Sequence, residues 1–262
     1  GSIGFLSHAM EGDVCADAPS SDRAVTYGRW NHVAVTVDAM MKLITFYVNG
    51  EFAGRHASWD VGMDDGGELP LSIGNAIGCS ECTPFLGYMD ELRVFSAVVS
   101  QENILTWMNR TLTGWNHPDR AEVIAYYKFD ATFRDGNILT DLGWHRFDGV
   151  IQVDDPTPIL WDRAGAQALL DPFPAPPPAA PPRPPQLEGP SAMYFNGEDT
   201  IVRVDRQAAM NDAEELTFEA WIRPDAEVRG QTLAMLGDLG WGVMLMCGER
   251  DGPGRACCGT HL

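Results

Sequence analysis

The sequence predicts an all-β protein, an antiparallel sandwich or jelly roll with one short helix. Two observations carry that prediction: short runs that alternate apolar and polar residues, and turn signals at regular intervals between them. Trp30–Val37 alternates with period two after His32, which puts Val33, Val35 and Val37 on one face. Asp38–Lys42 is a tight connection to a second strand, Leu43–Val48. Asn49-Gly50 then marks a hairpin turn, and Glu51–Gly54 returns from it. Leu71–Gly74 is a short strand and Phe85–Phe95 a longer one. Ser100 is an N-cap ahead of Ile104, Leu105, Trp107 and Met108, so a helix starts there. Val123–Asp130 is a further strand, followed by polar, Gly-containing loops. Strand patterning resumes at Ala192–Gly197, Thr200–Val204, Leu216–Pro224, Thr232–Leu236 and Trp241–Met246.

Asp171–Pro185 interrupts this pattern with a proline-dense run that cannot donate a hydrogen-bond ladder. An extended polyproline II stretch is expected, at about 3.1 Å per residue a spacer of roughly 45 Å. A ligand for a groove in a partner protein is the alternative.

Composition bounds the function. Hydrophobic content of 45% and eight Trp residues belong to a folded globular chain. The formal charge is −19, from 37 acidic against 18 basic residues, so a phosphate backbone or an anionic membrane surface is repelled. No apolar run approaches the roughly 20 residues of a membrane span, so membrane insertion is not expected. Clustered carboxylates favour divalent cations, although plain solubility explains most of them.

The six cysteines are Cys15, Cys79, Cys82, Cys247, Cys257 and Cys258. Their even count, beside acidic Gly/Pro-rich loops, predicts disulfides and an extracellular, secreted or cell-surface location. Cys79 and Cys82 can staple one loop, and Cys247 can reach Cys257 or Cys258 across a hairpin. Zinc would need a second ligand pair at finger-like spacing, which is absent. Asn109-Arg110-Thr111 is the one N-glycosylation sequon, in keeping with secretion. Gly1-Ser2 opens straight into Ile3–Leu6, either a tag scar or the interior of a precursor.

Several motifs together resemble laminin-G-like jelly rolls of the concanavalin A-like lectin/glucanase superfamily. Ala192–Gly197 and Leu216–Pro224 resemble the front half of such a domain. Trp30–Val37, Phe46–Gly50 and Gly87–Phe95 with the following helix resemble the back half. The order is the departure, because here the back half comes first. The expected organisation is a back half at 1–120, a first strand and loops of the next or exchanged sandwich at 121–170, a Pro-rich linker at 171–190 and a front half at 191–262. Either the chain is one period of a tandem array or the halves fold together as a circular permutant. Val123–Asp130 is expected to close the upstream sandwich, which would be strand exchange between copies.

Catalytic chemistry is hard to find. The Glu-x-Asp-x-x-Glu strand of related glycoside hydrolases is missing, as are a Gly-x-Ser-x-Gly elbow and a His-Glu-x-x-His helix. Asp90 and Glu91 are adjacent, so a regular strand would point them to opposite faces. The resemblance implies a structural calcium site at Asn196, Glu198 and Asp199, with Asp90 from the late strand. The alternative for Asp90 is an ion pair with Arg93 or a turn cap. Trp30 and Trp221 are expected in the core. Trp59, Trp115, Trp144 and Trp161 lie in loop-like stretches and are candidate sugar platforms or plugs of the sandwich ends.

A non-catalytic structural or adhesive module is therefore expected, with neighbouring repeats or copies of itself and extracellular proteins or glycans as partners. A calcium-assisted carbohydrate-binding module is the alternative.

Overall fold

The computed structural model describes residues 1–7, 21, 25–57, 70–77, 82–112, 116–130, 134–153, 161–162, 191–205, 214–226, 230–236 and 241–246. Strands β1 (Ser2–Ser7), β2 (Asn31–Asp38), β3 (Leu43–Val48), β4 (Glu51–Ala57), β5 (Leu71–Ile73), β6 (Thr83–Pro84) and β7 (Leu86–Phe95) precede helix α1 (Gln101–Trp107). A 3₁₀ turn at Arg120–Glu122 leads into β8 (Val123–Tyr127). Short strands β9 (Arg134–Asp135), β10 (Ile138–Leu139), β11 (Gly149–Gln152) and β12 (Trp161–Asp162) follow. The last group is β13 (Ala192–Asn196), β14 (Ile201–Val204), β15 (Glu215–Pro224), β16 (Gln231–Leu236) and β17 (Trp241–Met246).

These strands form two sheets. One runs β1-β17-β16-β5-β14-β11-β10-β9, with β6 beside β16; the other runs β12-β13-β7-β15-β2-β3-β4. Strand β8 is also paired with β7. All pairings are antiparallel except β6 with β16. Alternation explains the packing: Val33, Val35 and Val37 of β2 and Phe218, Ala220 and Ile222 of β15 meet Ile73, Leu236, Val243 and Phe5 from the opposite sheet in one core.

The predicted Asn49-Gly50 hairpin forms, with φ of 54° and 76° that suit the twist of the flanking strands. A Cβ at Gly50 would lie 2.6 Å from Leu105, so the turn also fixes the seat of α1. Ser100 caps that helix as expected, its Oγ accepting the Asn103 amide at 3.2 Å. The stretch 131–162, read as loops, contains β9 to β12 instead. Three of these strands are only two residues long, too short for a period to register.

Strands β8 and β13 share one edge of β7. Tyr127 pairs with Leu92 and Met193 with Met89, so β13 takes up the track of β8 in the same direction. The Ser191 amide donates to Asp130 Oδ1 at 2.7 Å, which closes the join. Strand β15 lies between β7 and β2, so strands from the early and late parts of the chain interleave. Residues 171–190, the proline-rich run, lie outside the described residues.

Candidate binding site

The outer face of the β7-containing sheet is covered by α1 and the residues after it. A register shift between Glu219 and Trp221 and a positive φ of 51° at Glu91 break the regular alternation of β7. Met89 and Leu92 therefore both enter the core, and from Glu91 onward alternation is regular, with Glu91, Arg93 and Phe95 on the outer face and Leu92 and Val94 inside.

Arg93, 1% exposed, holds this layer together. Its Nη1 donates to Glu219 Oε1 at 2.8 Å and to the Trp107 carbonyl at 3.2 Å. Its Nη2 donates to Glu91 Oε2 at 2.9 Å and to the Arg110 carbonyl. Tyr126 Oη donates to Glu91 Oε2 at 2.6 Å, and Trp221 Nε1 to the Met108 carbonyl at 2.7 Å. The guanidinium is held charged, because Glu219 and Glu91 outweigh its burial. Burial raises the Glu219 carboxyl, against the pull of Arg93. The expected Asp90–Arg93 pair is thus replaced by Glu91 and Glu219, and Asp90 Oδ1 accepts the Glu91 amide instead.

Beside this layer is a cavity of about 310 Å³ lined by Leu112, His117, Arg120, Val123, Tyr126, Leu142, Gly143, Trp144 and Arg146. Asp141 anchors the loop that carries Leu142, Gly143, Trp144 and Arg146. This buried carboxylate accepts the Tyr126 and Gly143 amides at Oδ1, 2.8 and 2.7 Å, and the Phe147 amide at Oδ2, 2.8 Å. The Asp141 amide in turn donates to Asp148 Oδ1, and the Leu142 amide to the Tyr126 carbonyl. The loop 141–148 is thereby tied to β8 and presents Trp144 and Arg146 at the cavity. Trp144 is 51% exposed, its Nε1 donating to the Arg120 carbonyl at 3.3 Å.

His117 forms part of the opposite wall. Its ring lies between Phe95 and Trp107, at centroid distances of 5.3 and 5.0 Å. Burial is the main reason its pKa falls to about 4, with Arg93 adding to the fall and Asp119 opposing it. The imidazole is neutral at physiological pH. Its Nδ1 accepts the Asp119 amide at 3.0 Å, so the proton sits on Nε2.

The other expected site residues scatter. Asn196, Glu198 and Asp199 form one turn, in which Asn196 Oδ1 accepts the Glu198, Asp199 and Thr200 amides. Asn196 Nδ2 donates to Asp199 Oδ1. Asp90 is four residues along β7 from Leu86, the partner of Asn196, which is about 13 Å at strand rise. These residues do not fit a calcium cage, because the oxygen that would bind is already occupied by three amides and Asp90 is remote. Among the described residues no group of three or more His, Cys, Asp and Glu converges as metal ligands.

Trp30 is only half-buried, with the Arg223 guanidinium 5.7 Å from its ring centroid, so it is not the core residue expected. Trp221 is buried, but on the outer face under Met108. Trp161 has its backbone in β12, and its side chain lies outside the described residues, as do Trp59 and Trp115. Cys82 is disulfide-bonded; Cys15, Cys79, Cys247, Cys257 and Cys258 lie outside the described residues. Asn109 is exposed in the turn after α1.

A family model described as the concanavalin A-like lectin/glucanases superfamily, of the laminin-G type, matches residues 3–105. Residues 3–105 are thus similar to a laminin-G-like jelly roll, in keeping with the two antiparallel sheets of the sandwich. The match takes in β1 to β7 and most of α1, while β15, which lies between β2 and β7, comes from outside it. No sequence among curated proteins matches the chain. No helix among the described residues is long and apolar enough to cross a membrane.

Proposed function

We propose that this laminin-G-like protein is a non-catalytic, extracellular binding module whose ligand is a carbohydrate. The observation that supports this most is the outer-face cavity, whose lining brings the half-exposed Trp144 together with Leu112, Val123 and Leu142. Sugar rings present apolar C–H faces that stack on such an indole, and a few polar groups then fix orientation. The superfamily's members are generally binding modules for proteins or glycans, which agrees.

The non-catalytic part rests on burial. Glu91 and Glu219 are two neighbouring carboxylates among the described residues, yet they are buried and both bind Arg93. A scissile bond has no route to them. The extracellular part is supported by the Cys82 disulfide, the exposed Asn109 sequon and the family's usual location. The structural or adhesive reading rests on the proline-rich run at 171–190, outside the described residues, so the cavity favours ligand binding.

A glycan array run beside light scattering on the same sample tests the choice. Carbohydrate binding by a monodisperse monomer is expected. Concentration-dependent self-association with no glycan bound would instead favour the adhesive reading.

A further inference from the structure

The cavity is basic on a strongly acidic protein. Among the described residues its lining contains Arg120, Arg146 and His117 and no carboxylate side chain, although the chain has a net charge of −19. Four acids of the surrounding segments have partners of their own. Asp141 accepts three backbone amides, Asp148 accepts the Asp141 amide, Glu91 binds Arg93 and Tyr126, and Asp119 Oδ2 accepts the Asn103 side-chain amide at 2.8 Å. Arg146 makes no ion pair among the described residues, and its Nη1 donates to the neutral Asp141 carbonyl at 3.2 Å. His117 is 1% exposed and lines the cavity, with its Nδ1 accepting the Asp119 amide and its Nε2 left to carry the proton.

A guanidinium matches a carboxylate in shape and charge, a neutral imidazole adds an N–H donor, and the indole adds a stacking face. We infer that the cavity takes a singly charged acidic saccharide, a uronate-bearing sugar whose carboxylate meets Arg146 and Arg120. The protein's overall charge excludes a polyanion. Successive negative groups beyond the cavity would meet the −19 field, whereas one carboxylate is sheltered by the local cations. This inference rests on the carbohydrate-binding reading and specifies its ligand.

The test is calorimetric titration of the full chain with a glucuronate-terminated disaccharide, its carboxyl-reduced counterpart, heparin and a glutamate-rich peptide. The acidic disaccharide is expected to bind at least about tenfold more tightly than the reduced one. Arg146→Ala and Arg120→Ala, both at exposed positions, are expected to bring the affinity for the acidic disaccharide down to that for the reduced one, at an unchanged melting temperature. Equal affinity for the two disaccharides would overturn the acidic specificity and leave the carbohydrate reading standing. Binding of the peptide or heparin alone would overturn both.

Discussion

His32 is buried against Trp221, with its Nε2 3.7 Å from Glu219 Oε2 and its Nδ1 unpartnered. Burial, with Arg93 adding to it, lowers its pKa to about 3 from the ordinary 6.5. The unfolded chain therefore takes up this proton first. The stability it contributes is complete above about pH 6.5 and is lost as the pH falls towards 3. Glu219, raised by burial, acts in the opposite sense, so the His32 effect is read as a difference. His32→Gln is expected to flatten the fall in melting temperature between pH 7 and 4. Parallel pH profiles for the two proteins would contradict this. None of it was legible in the sequence, where the six histidines are scattered and nothing marks His32 or His117 as buried. Trp144 was legible as a loop aromatic, but Arg120, Arg146 and Asp141 were not. The cavity joins a 3₁₀ turn to a loop more than twenty residues later, and pattern reading sees one segment at a time.

At the scale of elements, α1 shows why one end of a helix is easier to read than the other. Ser100 announces the start by local spacing. At the other end the carbonyls of Trp107, Met108 and Arg110 are satisfied by Arg93 and Trp221, which come from strands β7 and β15. A buried cation there also suits the helix dipole. Arg93→Met is expected to cost about 3–5 kcal/mol in denaturant unfolding, because two buried carboxylates lose their partner. Ser100→Ala is expected to cost about 1 kcal/mol. Equal costs would mean that the cap, rather than the buried ion pairs, sets the stability of this layer. The long strands were legible because their alternation spans five or more residues. The irregularity at Glu91 was not, and it is what lets Met89 and Leu92, three residues apart, both face the core.

Across the whole molecule, both sheets are built from early and late strands. Strand β15 supplies the middle of one sheet, and β17 and β16 link β1 to β5 in the other. The reversed order of the family motifs made this interleaving conceivable from sequence. It could not specify that β8 and β13 divide one edge of β7, because that depends on where two distant segments meet. A fragment ending at Leu112 retains the family-matched residues but lacks β15, leaving β2 and β7 unpaired at the centre of their sheet. It is expected to show no cooperative unfolding transition, and a sharp transition from that fragment would contradict the interleaved core. The carbohydrate reading meets its most direct test at Trp144, which is exposed enough to be removed without a core penalty. Titration of wild type and Trp144→Ala with the best glycan from the array should show at least about a tenfold loss of affinity at equal melting temperature. Unchanged affinity would place the binding surface elsewhere and contradict the assignment of this cavity.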